Sequence, residues 1–201
     1  LWERKPELID GGSLVRVRPG TSYTELASLL APEGLSIPAD PSSASISTVG
    51  DNIATRASGP HAFRHGSMDR YLHRLTVVDG RGTLHATDRP LSQERSRGLR
   101  DLSGTTSPDL ERRIWAHERI KSASGPRLTH FLSEPDAPRS VTSLFCGSLG
   151  SFGLITEAVL TTVPAPPARE VVLYAAESDE AAVALTDALR GPETVAVELI
   201  D

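Results

Sequence analysis

The amino-acid sequence predicts an α+β fold, and three observations carry that prediction. Leu14-Val15-Arg16-Val17-Arg18 alternates apolar and polar residues with the period of a half-buried strand. Leu75–Val78 and Thr83–Thr87 flank Asp79-Gly80-Arg81-Gly82 as the two arms of a hairpin. Between such strands lie helix starts with recognisable caps, at Ser22 and at Ser107-Pro108. The chain has 201 residues, enough to bury a core as one large domain or two small ones. Sixteen glycines and 15 prolines set many turns between short elements, so Val, Leu, Ile and Ala are left to build the core.

Taken in order, the first strand stops at Pro19-Gly20. Ser22-Tyr23-Thr24-Glu25 then has capping-box spacing, in which the hydroxyl accepts from the Glu25 amide and the carboxylate reaches back. Leu26, Leu29 and Leu30 form one helix face, and Gly34 suits the left-handed residue after the helix. Ser36 to Gly66 shows little helical periodicity. After the hairpin, Asp88 to Thr106 is polar and Arg-rich and reads as a mobile loop. The helix that begins at Ser107-Pro108 should turn Leu110, Ile114 and Ile120 inward and end by Ser124-Gly125. Val141–Phe145 and Ala158–Val163 read as strands on either side of a glycine-rich turn. Pro164-Ala165-Pro166-Pro167 reads as a stiff extended linker. Beyond it, Val171–Ala175 (strand), Ser178–Arg190 (helix, with Ala182, Val183, Leu185 and Leu189 on one side) and Val195–Leu199 (strand) suggest a β-α-β unit reaching to Asp201.

Composition excludes several classes of function. The 21 basic and 26 acidic residues give a net charge of −5, which opposes nucleic-acid binding by phosphate neutralisation. One cysteine, Cys146, excludes an intrachain disulfide or a cysteine-held metal within these residues, and it reads as a buried small residue on a strand. No apolar stretch approaches the roughly 18 residues of a membrane helix. The chain is therefore expected to be soluble and cytoplasmic. His61 and His65 stand four apart, but Pro60 and Gly66 argue against a helix and hence against a metal pair; both read as solvated loop histidines. Cys146-Gly147-Ser148-Leu149-Gly150 lacks the first glycine and the following helix of a hydrolase elbow.

Two segments are unusual. Pro38 to Gly59 is dense in small and hydroxylic residues, which allow backbone amides close to a ligand and add hydroxyl donors. Gly147-Ser148-Leu149-Gly150-Ser151-Phe152-Gly153 spaces its glycines three apart and runs into a strand, unlike a Rossmann loop. Each alone reads as a tight turn. The pair, one of them long and bounded by regular elements, reads as a ligand cradle.

Those residues carry a resemblance. Gly34-Leu35, Pro38-Ala39-Asp40-Pro41-Ser42, Thr48-Val49-Gly50-Asp51, Ser58-Gly59, His65-Gly66 and Gly147 to Ala158 fall in the order and spacing of the FAD-linked oxidases. The segments resemble the PCMH-type FAD-binding domain of the vanillyl-alcohol oxidase and D-lactate dehydrogenase superfamily. The nearest branch is that of the large FAD and iron–sulfur D-2-hydroxyacid dehydrogenases, whose Pro-linked strand and "V-E-L-M-D" segment resemble Val197-Glu198-Leu199-Ile200-Asp201. Arg113 to Gly125, with Lys121, is a weaker echo of the same branch. The resemblance implies a mixed or antiparallel sheet with flanking helices, and an FAD cofactor. It also implies oxidation of a small 2-hydroxy acid (D-lactate, glycolate or D-2-hydroxyglutarate class) by hydride transfer to flavin N5, with electrons passed to an acceptor that the sequence does not identify. Neither a catalytic base nor an oligomeric state is read from it.

The implied cofactor-binding residues are Pro38, Asp40, Ser47, Thr48, Val49, Gly50, Asp51, Ala54, Thr55, Ser58, Gly59, Gly66, Gly150 and Ile155. Among them, the Thr48–Gly50 loop and the Thr55–Gly59 turn should donate to the pyrophosphate and flavin. Three positions depart from the family. Asp51 stands where a glycine belongs, placing a carboxylate and a Cβ near an anionic group; Arg56 replaces a polar amide and could offset Asp51; Leu149 replaces a glutamate.

The implied organisation is 1–163 as an FAD-binding domain without its upstream pyrophosphate-loop subdomain, 164–168 as linker and 169–201 as the start of a cap domain. With Leu1 in place of Met, the chain is expected to be a piece of a longer enzyme. The alternative is a flavin-free remnant of the fold acting as a non-catalytic interaction domain.

Overall fold

The computed structural model describes residues 5–118 and 120–200, so Leu1 and Asp201 lie outside the described residues. Strand β1 (Glu7–Ile9) turns through Gly11 and Gly12 into β2 (Leu14–Val17), pairing antiparallel with Leu8 opposite Val15. Helix α1 (Tyr23–Leu30) begins where the Ser22 hydroxyl accepts from the Glu25 amide and buries Tyr23, Leu26 and Leu30. Gly34 closes the turn after it in the left-handed region, at φ +66°. A two-residue strand, β3 (Leu35–Ser36), follows.

The next thirty residues correct the sequence reading. They contain α2 (Val49–Ala54) and α3 (Ala62–His65), each too short to reveal a helical period. His61 is the N-cap of α3, so Pro60 and Gly66 bound a helical turn instead of excluding one. The hairpin forms as expected from β4 (Leu72–Val78) and β5 (Leu84–Ala86). Its turn is held by Asp79, whose Oδ1 accepts from the amides of Arg81 and Thr83.

The expected mobile loop 88–106 is in fact α4 (Gln93–Gly104), capped by Ser92. It buries none of its residues, which is why no apolar period marks it. Helix α5 (Pro108–His117) starts at Ser107-Pro108 and ends ahead of Ser124-Gly125, both as expected. Leu110 and Ile120 are exposed, and only Ile114 is half-buried. A short α6 (Thr129–Ser133) leads to α7 (Pro138–Phe145), where a strand was expected. Pro138 at the first helical position sets that start. The buried residues of α7 are hydroxylic (Ser140, Thr142, Ser143), so no apolar stripe signals it. Thr142 Oγ1 donates to Thr87 Oγ1 at 2.7 Å, and Ser140 Oγ to the His130 carbonyl at 2.8 Å. Cys146 is buried at the end of this helix, not on a strand.

Strand β6 (Leu154–Thr161) is the centre of the molecule. It pairs antiparallel with β2 on one side and β4 on the other, giving the sheet order β1-β2-β6-β4-β5. Strand β7 (Val163–Pro164) pairs with β3, so the first proline of the expected linker belongs to the fold. Helix α8 (Asp179–Ala188), capped by Ser178, forms as expected, although Val183 is exposed. The flanking segments 171–175 and 195–199 are not in strands, and Val171 and Leu173 are almost fully exposed.

The observed architecture is thus α+β with an antiparallel sheet. One face carries Val15, Val17, Leu75, Val77, Ala158 and Leu160 onto Leu26, Leu30, Val49, Ile53 and Met68. The period-2 alternation turns Arg16, Arg18 and Arg74 to the other face, around Glu157. Arg74 reaches Glu157 at 3.4 Å and Arg18 reaches it at 3.6 Å.

One prediction concerns the hairpin. The His85 ring and two backbone amides hold the Asp79 carboxyl well below the usual carboxylate range, down to about 2. A group depressed in the fold contributes stability present above its unfolded pKa and lost as pH falls through the folded one. A carboxyl NMR titration should therefore place the Asp79 midpoint near 2, and Asp79→Asn should remove the acid-side loss of β4–β5 protection.

Candidate functional site: a wall of small residues

The sequence-predicted segments come together through main-chain hydrogen bonds. Helix α2 is gripped at both ends. The Val49 and Gly50 amides donate to the Thr21 and Pro19 carbonyls at 2.9 and 2.8 Å, and the Gly147 and Leu149 amides donate to Ile53 and Ala54 at 2.9 and 3.0 Å. A Cβ at Gly50 would lie 2.7 Å from Pro19 Cβ, so only glycine lets these turns approach. Gly59 is tighter still, since a Cβ there would overlap the Asp40 carbonyl. Tyr23 ties the 37–40 turn down by donating its hydroxyl to the carbonyls of Ile37 (3.1 Å) and Ala39. Burial pushes the Tyr23 phenol up, keeping it a donor. Pro38, Ala39 and Pro41 are buried in this contact, and His61 Nδ1 sits 3.2 Å from the Asp40 carboxylate.

The chemistry at Asp51 differs from the sequence expectation. Thr48 Oγ1 accepts from the Asp51 amide at 3.2 Å and Asp51 Oδ2 accepts from the Thr48 amide at 3.1 Å, a complete capping box. The aspartate is thereby a helix-start residue with its carboxylate folded back on its own turn. Thr55 Oγ1 donates to the Asp51 carbonyl at 2.7 Å. Arg56 does not offset Asp51. It is buried at φ +49° and donates to the Ser122 carbonyl, and burial lowers its pKa against the smaller opposing pull of Asp69.

Behind this wall lies a network that sequence reasoning did not find. Arg127 Nε reaches Asp69 Oδ2 at 2.5 Å, Arg127 also pairs with Glu118, and Thr129 Oγ1 donates to Glu118 Oε2 at 2.9 Å. No local motif links residues 56, 69, 118 and 127; only the fold brings them together. Cys146 lies in the same region, and burial pushes its thiol up, which leaves it protonated and unreactive. Gly66, at φ +73°, caps α3. Gly150 has open space around it, Ser58 is half-buried, and Ile155 packs against the core from β6. Among the described residues, no group of His, Cys, Asp or Glu could hold a metal ion, and no helix is long and apolar enough to cross a membrane.

A flavin fits this surface in one respect. Ser47 Oγ and Asn52 Nδ2, both in the small-residue segment, are buried without a hydrogen-bond partner. An acceptor-rich ligand would satisfy the amide, and the hydroxyl could donate or accept. The backbone amides of residues 48–51, in contrast, are all engaged within the chain.

Comparisons with known proteins agree with this assembly. Residues 5–88 match the family described as FAD binding domain. The chain is 26% identical over 166 residues to the glycolate oxidase subunit GlcD of Bacillus subtilis, covering 83% of this chain and 27% of that protein. It is 28% identical over 200 residues to the D-2-hydroxyglutarate dehydrogenase of Pseudomonas putida, covering 93% and 20%. It is also 28% identical over 153 residues to a D-lactate dehydrogenase of Anaerostipes hadrus, covering 76% and 23%. The chain thus spans about a quarter of the length of these relatives. The solved structure of an alkyldihydroxyacetonephosphate synthase shares the fold, with a TM-score of 0.50 at 22% identity over 82% of this chain and 24% of that one.

Two substitutions test the geometry. Gly59→Ala should lower stability by about 3 kcal/mol or more in urea denaturation, because backbone blocks the Cβ. Arg127→Ala should cost about 3–5 kcal/mol by leaving Asp69 charged, buried and unpaired. Residues 5–88 of this chain are thus similar to the FAD binding domain family, and the mixed α+β fold agrees with that likeness.

Proposed function

We propose that the chain is the flavin-facing part of an FAD-dependent oxidoreductase that oxidises a D-2-hydroxy acid of the D-lactate, glycolate or D-2-hydroxyglutarate class. The observation that carries this reading is the convergence of the 38–41, 47–52, 54–59 and 147–155 segments into one wall in which Ser47 Oγ and Asn52 Nδ2 are buried without partners. Relatives named for oxidation or dehydrogenation of such acids support it.

FAD, when bound, supplies the hydride acceptor. In this chain, Asn52 and Ser47 would hold it by hydrogen bonds, and the small residues of the 54–59 turn would admit it closely. The carboxylate of Asp51 stays turned to the Thr48 amide, within its own helix turn. We place the cofactor domain at 1–163, with 169–201 opening a substrate-cap domain after the 164–168 linker.

A second reading rests on one observation. The amides of residues 48–51 are engaged by the chain's own atoms, as a flavin-free relative of the fold would have them. Titration of FAD into the refolded chain separates the two. Uptake of flavin, with visible absorbance retained after gel filtration, is the expected result, and Asn52→Ala should weaken it roughly tenfold, the worth of one or two hydrogen bonds. A colourless chain at saturating FAD favours the second reading.

A further inference from the structure

Next to the wall, a cleft of about 580 Å³ opens between α3, the Met68–Tyr71 turn, the segment around 118–127, and residues 190–194. Its lining carries Arg64, Arg70, Lys121, Arg127 and Arg190 against one carboxylate, Glu118. On a chain of net charge −5, this concentrates positive charge in one concave place. Arg127 is neutralised by Asp69 and Glu118, and Arg190 pairs with Asp187 at 3.1 Å. Among the described residues, Arg64, Arg70 and Lys121 have no carboxylate partner.

The cations are placed by the fold. A Cβ at Gly66 would overlap the Arg70 side chain, so the glycine is the seat on which that guanidinium lies. The Tyr71 hydroxyl donates to the His65 carbonyl at 3.0 Å and fixes the turn carrying both. Opposite, Lys121 Nζ donates to the Gly59 carbonyl at 3.1 Å, which anchors the ammonium at the cleft and leaves two of its protons for a ligand. Beneath, Arg56 is buried with its Nε unpartnered and its Nη2 on the Ser122 carbonyl, adding a desolvated positive charge behind the opening.

We propose that this cleft binds a compact oxyanion with two negative charges, of the phosphate-monoester or short-dicarboxylate class. Two guanidinium forks and one ammonium approach from opposite walls, a geometry that engages more oxygens than a monocarboxylate offers. The cleft adjoins the flavin wall, with Gly66 in its lining and Gly59 holding Lys121.

Calorimetric titration of the whole chain without FAD tests the proposal, using inorganic phosphate, glutarate and acetate. Either dianion should bind at least roughly tenfold more tightly than acetate, and the tighter of the two identifies the source class. The variants Arg64→Gln and Lys121→Gln should each lose roughly tenfold while keeping the native circular dichroism spectrum. Added salt should weaken binding. Equal binding of acetate, absence of binding by both dianions, or affinities unchanged in the folded variants would overturn the proposal. Displacement of phosphate by FAD would assign the cleft to the cofactor and overturn it too. Because flavin is absent, failure here leaves the FAD titration outcome untouched.

Discussion

The six-residue helix α2 exists because distant backbone holds both of its ends. A helix that short does not persist in water, since nucleation fixes several residues for each bond gained. Here the carbonyls of Pro19 and Thr21 take its first free amides, and the amides of Gly147 and Leu149 take its last carbonyls. Four bonds from two remote turns replace the missing length. The positions of the Pro38–Pro41 turn, of Arg56 and of Gly59 follow from where that helix is pinned.

The same constraint explains how much of the molecule was legible in the sequence. Strands β2 and β4 alternate between a core face and a charged face, and β6 carries the apolar run Ala158-Val159-Leu160, so their residues announce them. Caps at Ser22 and Ser107 are local chemistry and were equally plain. Helices α2 and α3 were hidden because one or two turns carry no period. Helix α4 was hidden because it buries nothing, and α7 because its buried face is serine and threonine. Val171–Ala175 is apolar enough for a strand, yet no neighbouring strand pairs with it in this structure.

For the candidate site, the motif order located the segments but not their chemistry. Asp51 looked like a repulsive intrusion on an anion loop; three residues of spacing to Thr48 make it a helix cap instead. Arg56 looked like its counter-charge, and the fold turns that guanidinium onto the Ser122 carbonyl. Such pairings join positions far apart in the chain, which residue types alone cannot specify. The outcome is a protein that is acidic overall and basic in one concavity.

The placement of β6 also orders events in time. Its partner β2 lies about 145 residues earlier, with Val15 opposite Leu160. At a synthesis rate of about 5–20 residues per second, β2 waits roughly 7–30 s and β4 roughly 4–18 s for the strand that joins them. Until then each shows an open edge, and the hydrophobic face shared by Val15, Leu75 and Leu26 has no centre to close on. Folding of this chain is therefore a late, long-range closure, and the nascent polypeptide is exposed to mispairing through most of its own synthesis.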